Sequence, residues 1–156
     1  MPSNRIRVSK DKANLVRQLV DYKGTTGPFQ TYADAIAFAA ALGSKYRKRV
    51  PLDTISTSEP APIATEIFIS RGYDTTIKLL AIAETGNPKI LSTFDPEKES
   101  ERLQIFEEYA NGGLEILRDE LRGAVDYTER ILLMLARERV QNRPEDEEEF
   151  DLTKFL

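Results

Sequence analysis

The sequence contains neither cysteine nor histidine. Without cysteine there are no disulfides, thiolate nucleophiles or cysteine-type zinc sites. The missing histidine excludes more, because imidazole is the usual general base near neutral pH and the commonest metal ligand. Ser-His-Asp hydrolysis, HExxH metalloprotease chemistry and histidine-containing di-iron bundles are all ruled out. Any active site has to be built from carboxylates, Lys, Tyr, Ser, Thr or Arg. An apolar run of about 18 residues is also missing, as is a charged-then-apolar leader, so the expectation is a cytoplasmic protein with neither a membrane helix nor a secretory signal.

What is present is ordinary in amount and uneven in distribution. The 156 residues are 40% apolar and 31% charged, which suits one compact domain with its own core. The net charge of −4 conceals a polarity: residues 1–50 carry ten Lys and Arg against three Asp and Glu, and residues 51–156 carry twelve against twenty-three. Two consequences are open. The basic third can approach a polyanion, or the two parts neutralise each other within the fold.

The stretch "NRIRVSKDKANLVRQLVDYKG" reads as an extended basic arm entering a helix. Ser9 is its N-cap, and Leu15, Val16, Leu19 and Val20 form one apolar face. Thr31 caps a second helix, with Asp34 at the N3 position, running from Tyr32 to about Leu42 and stopping at Gly43. Its many alanines leave small side chains all round, which suits a central helix approached closely by its neighbours. A surface connection follows that includes the basic run Lys45, Arg47, Lys48, Arg49. The segments "IATEIFISRG" and "TTIKLLAIAETG" read as helices, although their β-branched residues also allow a small sheet. Asp95-Pro96 with Glu97 and Glu99 is a strong helix start, and Asp126 to Glu129 opens a last helix through about Arg139. That helix sets Tyr127, Ile131, Leu132, Met134 and Leu135 on one broad face.

Asn111-Gly112-Gly113 would ordinarily end a helix, yet the apolar phase passes through it unchanged. From Leu103 at 100° per residue, Phe106, Ala110, Leu114, Leu117, Leu121 and Ala124 stay within about 60° of one line. A second ridge of Ile105, Tyr109 and Ile116 implies burial on two sides. Gly112 and Gly113 are therefore read as a helix-packing notch, where another helix crosses with its backbone close.

The stretches "RVPLD", "ISRGYD", "LLAIAETGNPKIL" and "IFEEYANGGLEIL" resemble the Dnd system-associated protein 4 family, found with bacterial DNA sulfur-modification (phosphorothioation) genes. The similarity spans roughly Arg5 to Arg139. It implies a bacterial defence context and an accessory role, and it carries no catalytic residues.

Candidate sites follow from charge. Arg5, Arg7, Lys10, Lys12, Lys45, Arg47, Lys48 and Arg49, with Tyr46 beside them, are candidates for nucleic-acid backbone contact; solvated loop charge is the plain alternative. Glu107, Glu108, Glu115 and Asp119 share one helix, but phase sets Glu115 and Asp119 on its exposed side, and no nuclease-like set accompanies them, so no metal site is expected. "AETGNPK" lacks phosphate-loop spacing. Beyond Pro144 an acidic run precedes Phe150, Leu152, Phe155 and Leu156, which are candidates for anchoring on a basic, grooved partner or for packing back on the same domain, with plain disorder as the third alternative.

The expected fold is mainly α: a single compact, bundle-like domain of about six helices over 1–143, with a basic N-terminal arm and a basic 44–50 loop, then an acidic, aromatic tail over 144–156. The expected function is that of a non-catalytic accessory or adaptor protein of a DNA-modification system, without cofactors and with a protein partner. A direct nucleic-acid-binding module is the alternative.

Overall fold

The longest helix is the one whose start the sequence marks most strongly. In α5 (Pro96–Leu121) the Asp95 carboxylate accepts the Glu97 N–H at 3.0 Å, and Pro96 occupies the first turn with Glu97 and Glu99. These groups satisfy an orphan donor and complement the positive end of the helix dipole. The helix runs unbroken through Asn111-Gly112-Gly113 and ends before Gly123, whose φ of 77° few other residues adopt cheaply.

A computed structural model describes residues 4–21 and 26–141, and six α-helices lie among them. A 3-10 turn at Lys10–Lys12 leads into α1 (Ala13–Gln18), followed by α2 (Tyr32–Lys45), α3 (Thr65–Ser70) and α4 (Asp74–Thr85). A second 3-10 turn, Pro88–Leu91, precedes α5, and α6 (Tyr127–Gln141) closes the described chain. The sheet content is small: β1 (Arg5–Ile6) pairs antiparallel with β2 (Ile63–Ala64), Arg5 opposite Ala64. The fold is thus mainly helical, and of the segment whose β-branched residues allowed a sheet only Ile63 and Ala64 are strand. No helix among the described residues is long and apolar enough to cross a membrane.

One core cluster draws on nearly every element: Ile6, Val16, Ile36, Phe68, Ile77, Phe106, Leu117 and Ile131 all belong to it. At its centre the rings of Phe68 and Phe106 meet edge to face, with centroids 5.6 Å apart.

The contact that organises this core has almost no side chain in it. A Cβ added at Gly113 of α5 would lie 1.7 Å from the Ala39 carbonyl oxygen of α2, and one added at Gly43 of α2 would lie 2.0 Å from the Tyr109 oxygen of α5. The exchange is reciprocal, with positions 39 and 43 on one helix facing 109 and 113 on the other. Gly112 admits a different neighbour, since its Cβ would meet the Lys48 carbonyl at 1.8 Å. These contacts offset the helix-propensity penalty of about 1 kcal/mol per glycine.

Two local expectations are corrected. α2 does not stop at Gly43 but continues to Lys45, because that glycine sits in the helix interior to admit α5. The helix is ended instead by Arg47 at φ 52°, with Lys48 N–H donating to Gly43 O at 2.8 Å and Arg47 N–H to Ser44 O at 3.1 Å. This is the Schellman pattern with an arginine in the left-handed position. The broad apolar face of α6 is also divided: Ile131 and Met134 are buried, whereas Leu132 and Leu135 face outward. Hydropathy alone does not report which part of a wide apolar face is covered. The acidic, aromatic segment 144–156 lies outside the described residues.

Replacing Gly113 or Gly43 by Ala is expected to lower unfolding free energy by roughly 1–3 kcal/mol, despite alanine's better helix propensity, because the clash is with backbone. Urea titration of each variant measures this. Unchanged or increased stability would mean that the helices do not meet this closely.

Candidate functional site

Four of the eight sequence-predicted basic residues, Arg7, Lys12, Lys48 and Arg49, pair with carboxylates of α5. Arg7 grips Glu107 as a fork: Nε reaches Oε2 and Nη2 reaches Oε1, both at 2.9 Å, while the Arg7 backbone N–H donates to Oε2 at 2.6 Å. Glu107 is only 3% exposed, so this two-point hydrogen bonding is what makes its charge tolerable. Lys12 is 2% exposed, and three oxygens surround its Nζ: Asn111 Oδ1 at 3.1 Å, Asp11 Oδ2 at 3.2 Å and Glu115 Oε1 at 3.5 Å. Of the three protons on this buried ammonium, Asp11 and Asn111 accept hydrogen bonds, and Glu115 adds an ion pair.

The loop after α2 converges on the same helix. Lys48 Nζ lies 3.2 Å from the other oxygen of Glu115, so arm and loop share one carboxylate. Arg49 bridges two more, with Nε 2.6 Å from Glu108 and Nη1 3.1 Å from Glu84 of α4. The Tyr109 hydroxyl donates to Glu84, and this bond, with Arg49 adding to it, holds the Glu84 carboxyl below its ordinary range. Lys45 pairs with Glu138 of α6 at 2.8 Å. Among the described residues, Arg5, Lys10 and Arg47 make no ion pair. Arg5 donates to the Pro62 carbonyl at 3.3 Å, and Arg47 and Tyr46 are exposed.

Asn111 ties the arrangement together. Its Oδ1 accepts from Lys12, and its Nδ2 faces the carbonyls of Val50 and Pro51 at 3.2 and 3.3 Å. Sequence reasoning missed the burial of Glu107 and Glu108. The signal was available: a helix with two apolar ridges leaves little solvated face, so carboxylates between the ridges must be buried and paired.

A second polar cluster ties α2 to the turn between α3 and α4. Arg71 donates from Nε and Nη2 to the two Asp34 oxygens at 2.8 and 2.6 Å, and Tyr73 donates to Oδ1 at 2.6 Å. Burial pushes the Asp34 carboxyl up, but hydrogen bonds from Arg71, Tyr73 and Thr31 outweigh it and hold the group below its ordinary value.

The outer face of α6 is the opposite kind of surface. Leu132 is 61% exposed and Val140 71%, with Leu133 and Leu135 also outward. Leu133, Ala136 and Val140 line an open cleft of about 610 Å³ together with Arg130 and Arg137, the latter paired with Glu120.

In comparisons with known proteins, the sequence model of the family described as DNA sulphur modification system-associated protein 4 matches residues 5–155. No curated protein and no solved structure matches.

The Asp34 cluster has a pH signature. With its folded pKa below the unfolded value of about 3.9, the carboxylate contributes stability that is complete above that value and is lost as pH falls through the folded pKa. Unfolding free energies of wild type and Asp34→Asn are therefore expected to differ most near neutrality and to converge below about pH 4. A difference that stays constant on acidification would show that the ionised pairing is not what matters.

Proposed function

The chain belongs to the DNA sulphur modification system-associated protein 4 family, and on that premise we propose that it is a non-catalytic accessory or adaptor protein that binds a protein component of such a system. The observation carrying this reading is the outer face of α6, where Leu132, Leu133, Leu135 and Val140 stand in solvent on a helix otherwise anchored by Ile131 and Met134. Contiguous exposed apolar surface rimmed by charge marks protein interaction sites. The polar chemistry along α5 supports the same reading, because Arg7, Lys12, Lys48 and Arg49 are occupied with the helix's own carboxylates.

Direct nucleic-acid binding is the second reading, and Arg47 favours it. A left-handed backbone costs an ordinary residue roughly 1–2 kcal/mol, yet an arginine occupies this one, exposed and without an ion pair among the described residues. Residues kept in unfavourable conformations are often kept for their side chains.

Two experiments separate the readings. Tagged protein recovered from its native host is expected to bring down a component of the sulphur-modification system, and Leu133→Glu with Val140→Glu to lose it. Recovery of no component, or recovery indifferent to both substitutions, would overturn the adaptor reading. Arg47→Gly is expected to raise unfolding free energy by about 1 kcal/mol through relief of the left-handed strain. If it leaves duplex DNA binding unchanged, or if the wild type has none, the nucleic-acid reading falls.

A further inference from the structure

Among the described residues, Ser9 Oγ is the buried side-chain oxygen left without a hydrogen-bond partner. The residue is 2% exposed, so the hydroxyl carries the desolvation penalty of an unpaired polar group. Its place in the sequence suggests an N-cap, and it does precede the 3-10 turn Lys10–Lys12, but the side chain makes no bond to that turn. Nor is it free to turn outward. The Lys10 N–H donates to Thr54 O at 2.7 Å and the Ser56 N–H to Val8 O at 2.8 Å, which pins the arm on both sides of Ser9. A buried hydroxyl held in this way calls for a partner of another kind.

The hydroxyl borders a small cavity between the arm and α5. Ile36, Leu52 and Leu114 form apolar walls, and Ser9, Glu107 and Asn111 bring polar groups to it. About 10 Å³ of it is open to the centre of a water molecule, close to the room that a single water needs and too little for an organic ligand. The flanking charges are already matched, Glu107 with Arg7 and Lys12 with Asp11 and Glu115, so an ion would find no charge to neutralise. Acceptors remain, however. Glu107 Oε1 takes one hydrogen bond from Arg7 and Asn111 Oδ1 one from Lys12, and each oxygen has a second lone pair to offer. Glu107 and Asn111 stand one helical turn apart on α5, close enough to share a ligand. We propose that this cavity is the binding site of one structural water, which accepts from Ser9 Oγ and donates to Glu107 and Asn111. Three such bonds are usual for a buried water. The water joins the arm to α5 between the Arg7 fork and the Lys12 ammonium, and so completes the polar seam along that helix.

The site is part of the scaffold and does not depend on the adaptor reading. A high-resolution crystal structure of the full chain is expected to show one ordered water about 2.7–3.2 Å from Ser9 Oγ and from Glu107 or Asn111. In solution, oxygen-17 relaxation dispersion registers long-lived waters and not hydroxyl protons, and Ser9→Val is expected to lose the contribution of one water. That substitution removes the hydroxyl and adds bulk beside the cavity, and the extended backbone of Ser9, at φ −64° and ψ 140°, suits a β-branched side chain. Electron density with Ser9 Oγ bonded directly to a protein group and no water in the cavity would overturn the proposal, as would a dispersion unchanged by Ser9→Val. Should Ser9→Val fail to fold, the wild-type density alone decides.

Discussion

The carbonyl oxygens of Ala39 and Tyr109 each rest against the Cα of a glycine on the facing helix, and the geometry of the described chain depends on that exchange. With no side chain between them, α2 and α5 approach backbone to backbone, and Cα–H to carbonyl contacts worth about 0.5–1 kcal/mol each replace interdigitated side chains. The close crossing also carries the end of α2 across α5. The Lys48 carbonyl then rests on Gly112, and the Val50 N–H donates to the Glu108 carbonyl at 3.0 Å. Even one added methyl group on either helix would push the two apart and lift that loop away.

Charge follows from this packing. Bringing α2 and the basic arm against α5 removes Glu107 and Glu108 from water, and an unpaired buried carboxylate would cost several kcal/mol. The residues that bring the burial also bring the cations: Arg7 to Glu107, Arg49 to Glu108, and Lys12 with Lys48 to Glu115. Breaking one partner of such a pair is far more damaging than its net contribution suggests, because the other charge is left buried. The basic first third and the acidic remainder are thus substantially complementary surfaces of one fold.

Much of this architecture is legible in the sequence because it is local. Asp95-Pro96 states where α5 begins, and the unbroken apolar phase through Asn111-Gly112-Gly113 states that it continues. Other features depend on a neighbour and are silent in one dimension. Gly43 reads as a helix stop, since glycine at a helix end usually is one, and only the approach of Tyr109 gives it another role. Lys12 looks like a solvated arm residue until Asn111 and Glu115 enclose it. The charge polarity was visible, but whether it faces outward or inward depends on which helices touch. The wide apolar face of α6 likewise could not reveal that one part of it stays uncovered.

Most cations of the arm and loop are occupied internally, leaving Arg5, Lys10 and Arg47 without ion pairs among the described residues. The dependence of duplex DNA affinity on salt counts phosphate contacts directly, since the slope of log Kobs against log salt is about −0.9 per phosphate neutralised. If binding is detectable, three available cations predict a slope no steeper than about −3. A slope near −7, as all eight basic candidates would give, would contradict the account.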